Sequence, residues 1–301
     1  MLVRKELLSP EWAERILSWP HSGFNVHSRI FIARVTSHIP DKGQVTVRYS
    51  GLYANAHRGK VKKASLSPTA PPVKYEPPAY ADPTKFVESE IIVGSGEWQL
   101  PGTLTMPKGD GPFPAIVLVH GSGPNNRDEE LGANKPFKDL AWGLASHGIA
   151  VLRYDKRSKI FGTKILADPK LKATMTVRDE TIDDAMAAAA LLKKTKKIDG
   201  KRVFILGHSL GGFLMPRMAK TVVKPMLILQ GGRDYQVTTE DFENWKAALG
   251  GRKDVEFHLY PKLNHLFYEG EGILTPLEYV QKHGSVAPYV VDDIAAWILK
   301  R

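Results

Sequence analysis

The chain of 301 residues contains no cysteine. This absence excludes disulfide bonds, thiolate metal sites and a cysteine nucleophile. The chain also lacks an apolar run long enough to span a bilayer, and no apolar stretch follows the basic residues at its amino terminus as it would in a signal peptide. We therefore expect a protein of the cytoplasm without a membrane partner.

The positive charge of the chain is unevenly distributed. The net charge is +10, and residues 1–85 contribute most of it, with 13 Lys and Arg against 6 Asp and Glu. Within this part, residues 64–85 contain six prolines, which favour an extended spacer. The sequence thus predicts a basic N-terminal segment at 1–63, a proline-rich linker at 64–85 and a catalytic domain at 86–301.

One serine lies on a glycine-flanked turn between a predicted strand and a predicted helix. Residues 207–211 read Gly-His-Ser-Leu-Gly and follow the apolar run at 203–206. Gly-x-Ser-x-Gly in this position is the pattern of a nucleophile elbow, in which a sharp turn exposes the serine hydroxyl. We therefore take Ser209 as the candidate nucleophile.

Strands and helices alternate from residue 86 onward. Strands are predicted at 86–93, 98–106, 115–119, 149–154, 202–206, 225–230 and 255–260, and helices at 137–145, 176–194, 211–221, 239–249 and 291–300. Such alternation is typical of a doubly wound α/β fold with a mostly parallel sheet. The first two strands are expected to be antiparallel neighbours.

A serine hydroxyl needs a base, and the base needs an orienting acid. In this class of sheet the catalytic groups lie at the carboxyl ends of strands. Asp234 follows the strand at 225–230, and His265 follows the last strand. The order Ser209, Asp234, His265 is that of α/β-hydrolases. Glu269 and Glu271 are the alternative acids.

An oxyanion is stabilised by preorganised backbone N–H groups. One donor is predicted to be Leu210, which follows the nucleophile. The second is expected from the loop after the third strand, which reads His-Gly-Ser-Gly-Pro at 120–124. We assign it to Ser122, with Gly123 as the alternative.

Residues from about 73 to 301 resemble bacterial esterases and acyl-peptidase-like enzymes of the α/β-hydrolase fold. The resemblance rests on the segments at 113–124, 127–129, 153–157, 207–212, 229–237 and 261–267. It implies serine carboxylester hydrolysis without a metal or an organic cofactor.

The chain departs from that family between the nucleophile and the acid. Only 24 residues separate Ser209 from Asp234, where the family normally has a further strand and a helical lid. We expect both to be missing, so that the strand at 226–230 pairs directly beside the elbow strand. An open acyl pocket and an exposed apolar sheet edge would follow, and the latter predicts self-association.

The first 66 residues resemble the C-terminal region of rolling-circle insertion-sequence transposases. The resemblance rests on residues 8–15, 23–29 and 47–60, and the paired-histidine metal motif with catalytic tyrosines is absent. A basic cluster of this kind usually forms a solvated face, so a nucleic-acid partner is not expected.

The leading hypothesis is a serine carboxylesterase that hydrolyses small, short-acyl esters through an acyl-enzyme. Two alternatives stay open. One is an acyl-peptide hydrolase or peptidase with the same triad, and the other is an inactive hydrolase remnant with a nucleic-acid-binding N-terminus.

Overall fold

The computed structural model describes residues 74–218, 225–275, 278–281 and 283–301. The predicted basic segment at 1–63 and the first part of the linker lie outside these residues. The described end of the linker closes with a 3-10 turn at Pro83–Lys85, where the Asp82 side chain accepts the Thr84 N–H. No helix in these ranges has both the length and the apolar character needed to cross a membrane.

Five strands form the larger sheet, in the order β1-β2-β4-β3-β5. They are β1 (Phe86–Val93), β2 (Leu100–Pro107), β3 (Phe113–Val119), β4 (Ala150–Tyr154) and β5 (Ile198–Gly207). β2 runs antiparallel to β1 and to β4, whereas β3 is parallel to both β4 and β5. Nearly all of β3 is buried, as expected for a central strand covered on both faces. The predicted mostly parallel α/β architecture is confirmed.

The last two strands form a separate ladder. β6 (Met226–Gly231) and β7 (Val255–Tyr260) pair in parallel over their full length. Among the described residues, β6 makes no ladder with β5, so the expectation that it pairs directly beside the elbow strand is wrong.

Side-chain packing explains the position of β6. Ile228 on β6 belongs to one apolar cluster with Phe213, which follows the elbow, and with Trp245, and Val203 and Ile205 of β5 pack against that cluster. Within the described residues, β6 therefore shares an apolar layer with β5 although the two strands are not hydrogen-bonded neighbours. We call this boundary between the two ladders the seam.

Eight α-helices flank the strands in the described ranges. They are α1 (Pro136–Ser146), α2 (Arg157–Ala167), α3 (Pro169–Thr174), α4 (Asp183–Leu192), α5 (Leu210–Met218), α6 (Thr239–Leu249), α7 (Glu278–Gln281) and α8 (Pro288–Leu299). A π-helical turn at Arg178–Ile182 leads into α4, so the helix predicted at 176–194 is continuous but not α-helical at its start. Helices α2, α3 and α7 were not predicted. α2 and α3 bury no side chain, and an unburied helix has no apolar period to detect, whereas α7 has only four residues.

Two apolar clusters form the core. One contains side chains of α4, α5 and α6, and the other contains those of α1 and α8. On α8, Val290, Val291, Ile294 and Ile298 are each at most 2% exposed. Full burial of such a side chain contributes about 1.5–3 kcal/mol. This packing fixes the carboxyl ends of the strands, where the candidate site lies.

Candidate active site

Ser209 occupies a strained turn between β5 and α5. Its φ is +57°, a left-handed conformation that a residue other than glycine adopts at a cost. A Cβ at Gly207 would lie 2.3 Å from the carbonyl carbon of Gly211, and a Cβ at Gly211 would lie 2.3 Å from the carbonyl oxygen of Val119. Glycine is thus required on both sides of the serine, as the elbow pattern predicts.

Asp234 and His265 are in direct contact. Their loops follow β6 and β7, and His265 Nδ1 lies 2.9 Å from Asp234 Oδ2. The other carboxylate oxygen, Oδ1, accepts the N–H groups of Gln236 at 2.8 Å and Val237 at 2.9 Å. The carboxylate is therefore held by two fixed donors while it faces the imidazole.

His265 is buried, and this burial lowers its pKa, although Asp234 opposes the shift. The imidazole is consequently neutral at neutral pH, the form that accepts a proton. Its loop touches the elbow, because the His265 carbonyl oxygen lies 3.3 Å from Nε2 of His208.

The structure does not bring the alternative acids to the histidine. Glu269 and Glu271 are both exposed. Glu269 instead accepts the hydroxyl of Tyr289 at 3.2 Å. Of the three predicted acids, Asp234 is the one in contact with His265.

The loop after β3 is held by charged side chains on both sides of Gly121. The Gly121 N–H donates to Glu129 Oε1 at 2.6 Å, and the Gly121 carbonyl accepts Lys156 Nζ at 2.8 Å. Since a peptide carbonyl and the following N–H point in opposite directions, this anchoring turns the Ser122 N–H away from Lys156.

The two predicted oxyanion donors differ in exposure. Ser122 is exposed, and Leu210 is partly buried as the first residue of α5. The first N–H groups of a helix have no intrahelical acceptor, which leaves the Leu210 N–H available. Gly123, the alternative to Ser122, has a φ of +95°.

Glu129, Lys156 and His208 have no role in the sequence prediction, although all three side chains are buried and contact either the elbow or Gly121. Glu129 Oε2 lies 2.6 Å from His208 Nδ1. The available signal was their position in the sequence, because Glu129 closely follows the glycine loop after β3, and Lys156 lies two residues after the end of β4. Within the described ranges, no group of three or more His, Asp and Glu side chains is placed to hold a metal ion.

Comparison with known proteins identifies the family of the chain. A family model described as the alpha/beta hydrolase family matches residues 116–297, more than half of the chain. The chain belongs to the alpha/beta hydrolase family. The enzyme class predicted from the elbow, a hydrolase, is thereby confirmed.

This alpha/beta hydrolase is 37% identical to the esterase EstD of Thermotoga maritima, in an alignment that covers 86% of this chain and 78% of the relative. The alignment extends over 339 positions, more than the 301 residues of the chain. The relative therefore has residues that this hydrolase lacks. The resemblance of residues 1–66 to transposases stays a prediction.

Solved structures of low identity also match this hydrolase. A dienelactone hydrolase from Anabaena variabilis is 18% identical, with a TM-score of 0.48 and coverage of 72% of this chain and 98% of that chain. An acylaminoacyl peptidase from Pyrococcus horikoshii is 18% identical, with a TM-score of 0.44 and coverage of 60% and 38%.

Proposed function

We propose that this hydrolase is a serine carboxylesterase that cleaves small, short-acyl esters through an acyl-enzyme intermediate. The hydrogen bond between Asp234 and His265, beside an elbow that holds Ser209 in a left-handed conformation, is the observation that carries the proposal. The identity to an esterase over most of the chain favours esters as substrates.

In the first step, His265 accepts the proton of the Ser209 hydroxyl as the oxygen attacks the ester carbonyl. Asp234 keeps the Nδ1 proton of the imidazole in place, so that Nε2 is the basic nitrogen. The imidazolium then donates its proton to the leaving alkoxide, and an alcohol departs.

The negative charge on the carbonyl oxygen is stabilised by the backbone N–H groups of Ser122 and Leu210. Such donors are effective because they are already oriented before the charge develops. In the second half of the reaction, His265 removes a proton from water as the water attacks the acyl-enzyme. The imidazolium then returns this proton to the Ser209 oxygen as the acid leaves.

Substitution of Ser209 by alanine tests the nucleophile. We expect Ser209→Ala to abolish turnover of p-nitrophenyl acetate and butyrate and to abolish labelling by a fluorophosphonate probe. Ser122→Ala is the matched control, because it removes a hydroxyl but keeps the backbone N–H, and it should retain turnover. Full activity of Ser209→Ala would refute the assignment.

Two further measurements address the alternatives. A matched ester and amide pair separates an esterase from a peptidase, since we expect the ester to be cleaved much faster. Absence of fluorophosphonate labelling in the folded wild-type protein would indicate an inactive remnant instead.

A further inference from the structure

A buried carboxylate and a second histidine lie directly behind the proposed nucleophile. Glu129 is 7% exposed and His208 is 8% exposed, and their side chains approach to 2.6 Å. Glu129 also has a φ of +50°, a strained conformation for this residue type that persists only where the surrounding structure enforces it.

The carboxylate of Glu129 connects two parts of the site. Its Oε1 accepts the N–H of Gly121 in the oxyanion loop, while its Oε2 faces Nδ1 of His208 in the elbow. A Cβ on Gly121 would lie 3.0 Å from Glu129 Oε1 and 3.1 Å from Ser209 Oγ. The carboxylate and the nucleophile therefore flank the same glycine.

The other ring nitrogen of His208 faces the third part of the site. Nε2 lies 3.3 Å from the carbonyl oxygen of His265, and the two rings are 5.2 Å apart. A carbonyl oxygen can only accept a hydrogen bond, and so can an ionised carboxylate. Each ring nitrogen of His208 therefore faces an acceptor oxygen.

Glu129 is ionised in this arrangement. Burial alone would raise the pKa of its carboxyl, but the facing His208 and His120 rings and the Gly121 N–H outweigh burial and lower it. The charged and titratable groups around His208 and His265 come from several elements, and they include Glu129, His120, Asp155, Lys156, Glu180, Asp234 and Tyr279.

We propose that Glu129 and His208 form a buried ion pair that positions the catalytic machinery of the proposed esterase. The anion orients the oxyanion loop, and the cation joins the elbow to the loop of His265. The cation also neutralises Glu129, which would otherwise repel the negative charge that develops on the substrate beside Ser209. Both are positioning residues, and this role rests on the proposed serine mechanism.

A double-mutant cycle tests the charge balance. His208→Gln leaves Glu129 buried without its cation, so we expect kcat/KM to fall about 10- to 100-fold. The acid limb of the pH profile should move to higher pH, because an uncompensated anion near His265 favours its protonated form. Glu129→Gln should also lower kcat, since Gly121 and His208 face different oxygens of the carboxylate and the amide replaces one of these oxygens with an NH2 donor.

The double variant Glu129→Gln with His208→Gln decides between pairing and simple packing. Its two amides can bond to each other and still accept the Gly121 N–H, without any net charge. We expect its kcat/KM to exceed that of His208→Gln by at least about threefold, with the acid limb returning toward the wild-type position. If the losses of kcat/KM in the two single variants simply add in the double variant, and the acid limb of its pH profile stays where it is in His208→Gln, the proposal is overturned.

Further measurements distinguish failure of the ion-pair proposal from failure of the serine mechanism or of a variant to fold. Glu130→Gln is the matched control, since Glu130 is the exposed neighbour of Glu129, and its activity should equal that of the wild type. Fluorophosphonate labelling of the wild type tests the serine mechanism independently of the cycle. If the His208 variants do not fold, 15N NMR of histidine-labelled wild type at neutral pH replaces them, and a neutral His208 ring would refute the ion pair.

Discussion

Replacement of Asp234 by asparagine separates catalytic orientation from structural support. The carboxylate accepts two backbone N–H groups through Oδ1 and faces His265 Nδ1 through Oδ2. Asparagine can keep the two backbone bonds with its carbonyl oxygen. Its NH2 group, however, would face Nδ1 as a donor and force the imidazole into the tautomer whose Nε2 carries the proton.

The expected loss of stability in Asp234→Asn is much smaller than the expected loss of activity. The free energy of unfolding should fall by only about 1.5–3 kcal/mol, the contribution of one hydrogen bond to a charged group. In this type of triad, the wrong tautomer lowers kcat about 10⁴-fold, which corresponds to about 5 kcal/mol of transition-state stabilisation. Urea denaturation measures the first quantity, the loss of unfolding free energy, and turnover of p-nitrophenyl butyrate measures the second, the loss of kcat.

Glu269→Gln and Glu271→Gln serve as controls for the assignment of the acid. Both glutamates are exposed, and their substitution should leave kcat within about twofold of the wild type. A loss of less than tenfold in Asp234→Asn, or a larger loss in either glutamate variant, would refute the reasoning.

Two other substitutions test the surroundings of the site. Lys156→Met removes the ammonium that holds the Gly121 carbonyl at 2.8 Å, and we expect kcat to fall about 10- to 100-fold with little change in KM, as steady-state kinetics would show. Burial raises the pKa of Asp139 from 3.8 to about 6, so the folded protein favours the protonated carboxyl. This contribution to the free energy of unfolding, about 3 kcal/mol, is complete below about pH 4 and is lost as the pH rises through 6. Urea denaturation at several pH values should therefore show that the free energy of unfolding falls less between pH 4 and 6 in Asp139→Asn than in the wild type. The same pH dependence of stability in both proteins would contradict this.

The sequence was sufficient to place Ser209, Asp234 and His265 because each follows a strand. Apolar runs of five or six residues locate strands well, and the carboxyl ends of parallel strands converge at one edge of a sheet. Those two rules bring the three residues to the same region without any knowledge of side-chain contacts.

The same rules could not identify the pairing of Glu129 with His208. Glu129 lies in an irregular loop, and its burial depends on a backbone conformation that no periodicity reveals. The position of β6 could not be predicted from the sequence pattern either, because the order of strands depends on how the helices of both layers pack. Local pattern determines where strands lie, whereas packing at a distance determines which strands become neighbours.

The seam divides the proposed machinery between two bodies. Ser209 and the oxyanion loop belong to the five-stranded sheet, whereas Asp234 and His265 follow the two strands of the smaller ladder. Within the described residues, side chains rather than a backbone ladder join these bodies, including the contact of His208 with the His265 carbonyl. A small opening of the seam would separate base from nucleophile while leaving both ladders intact, so heat should extinguish esterase turnover at a lower temperature than it melts secondary structure.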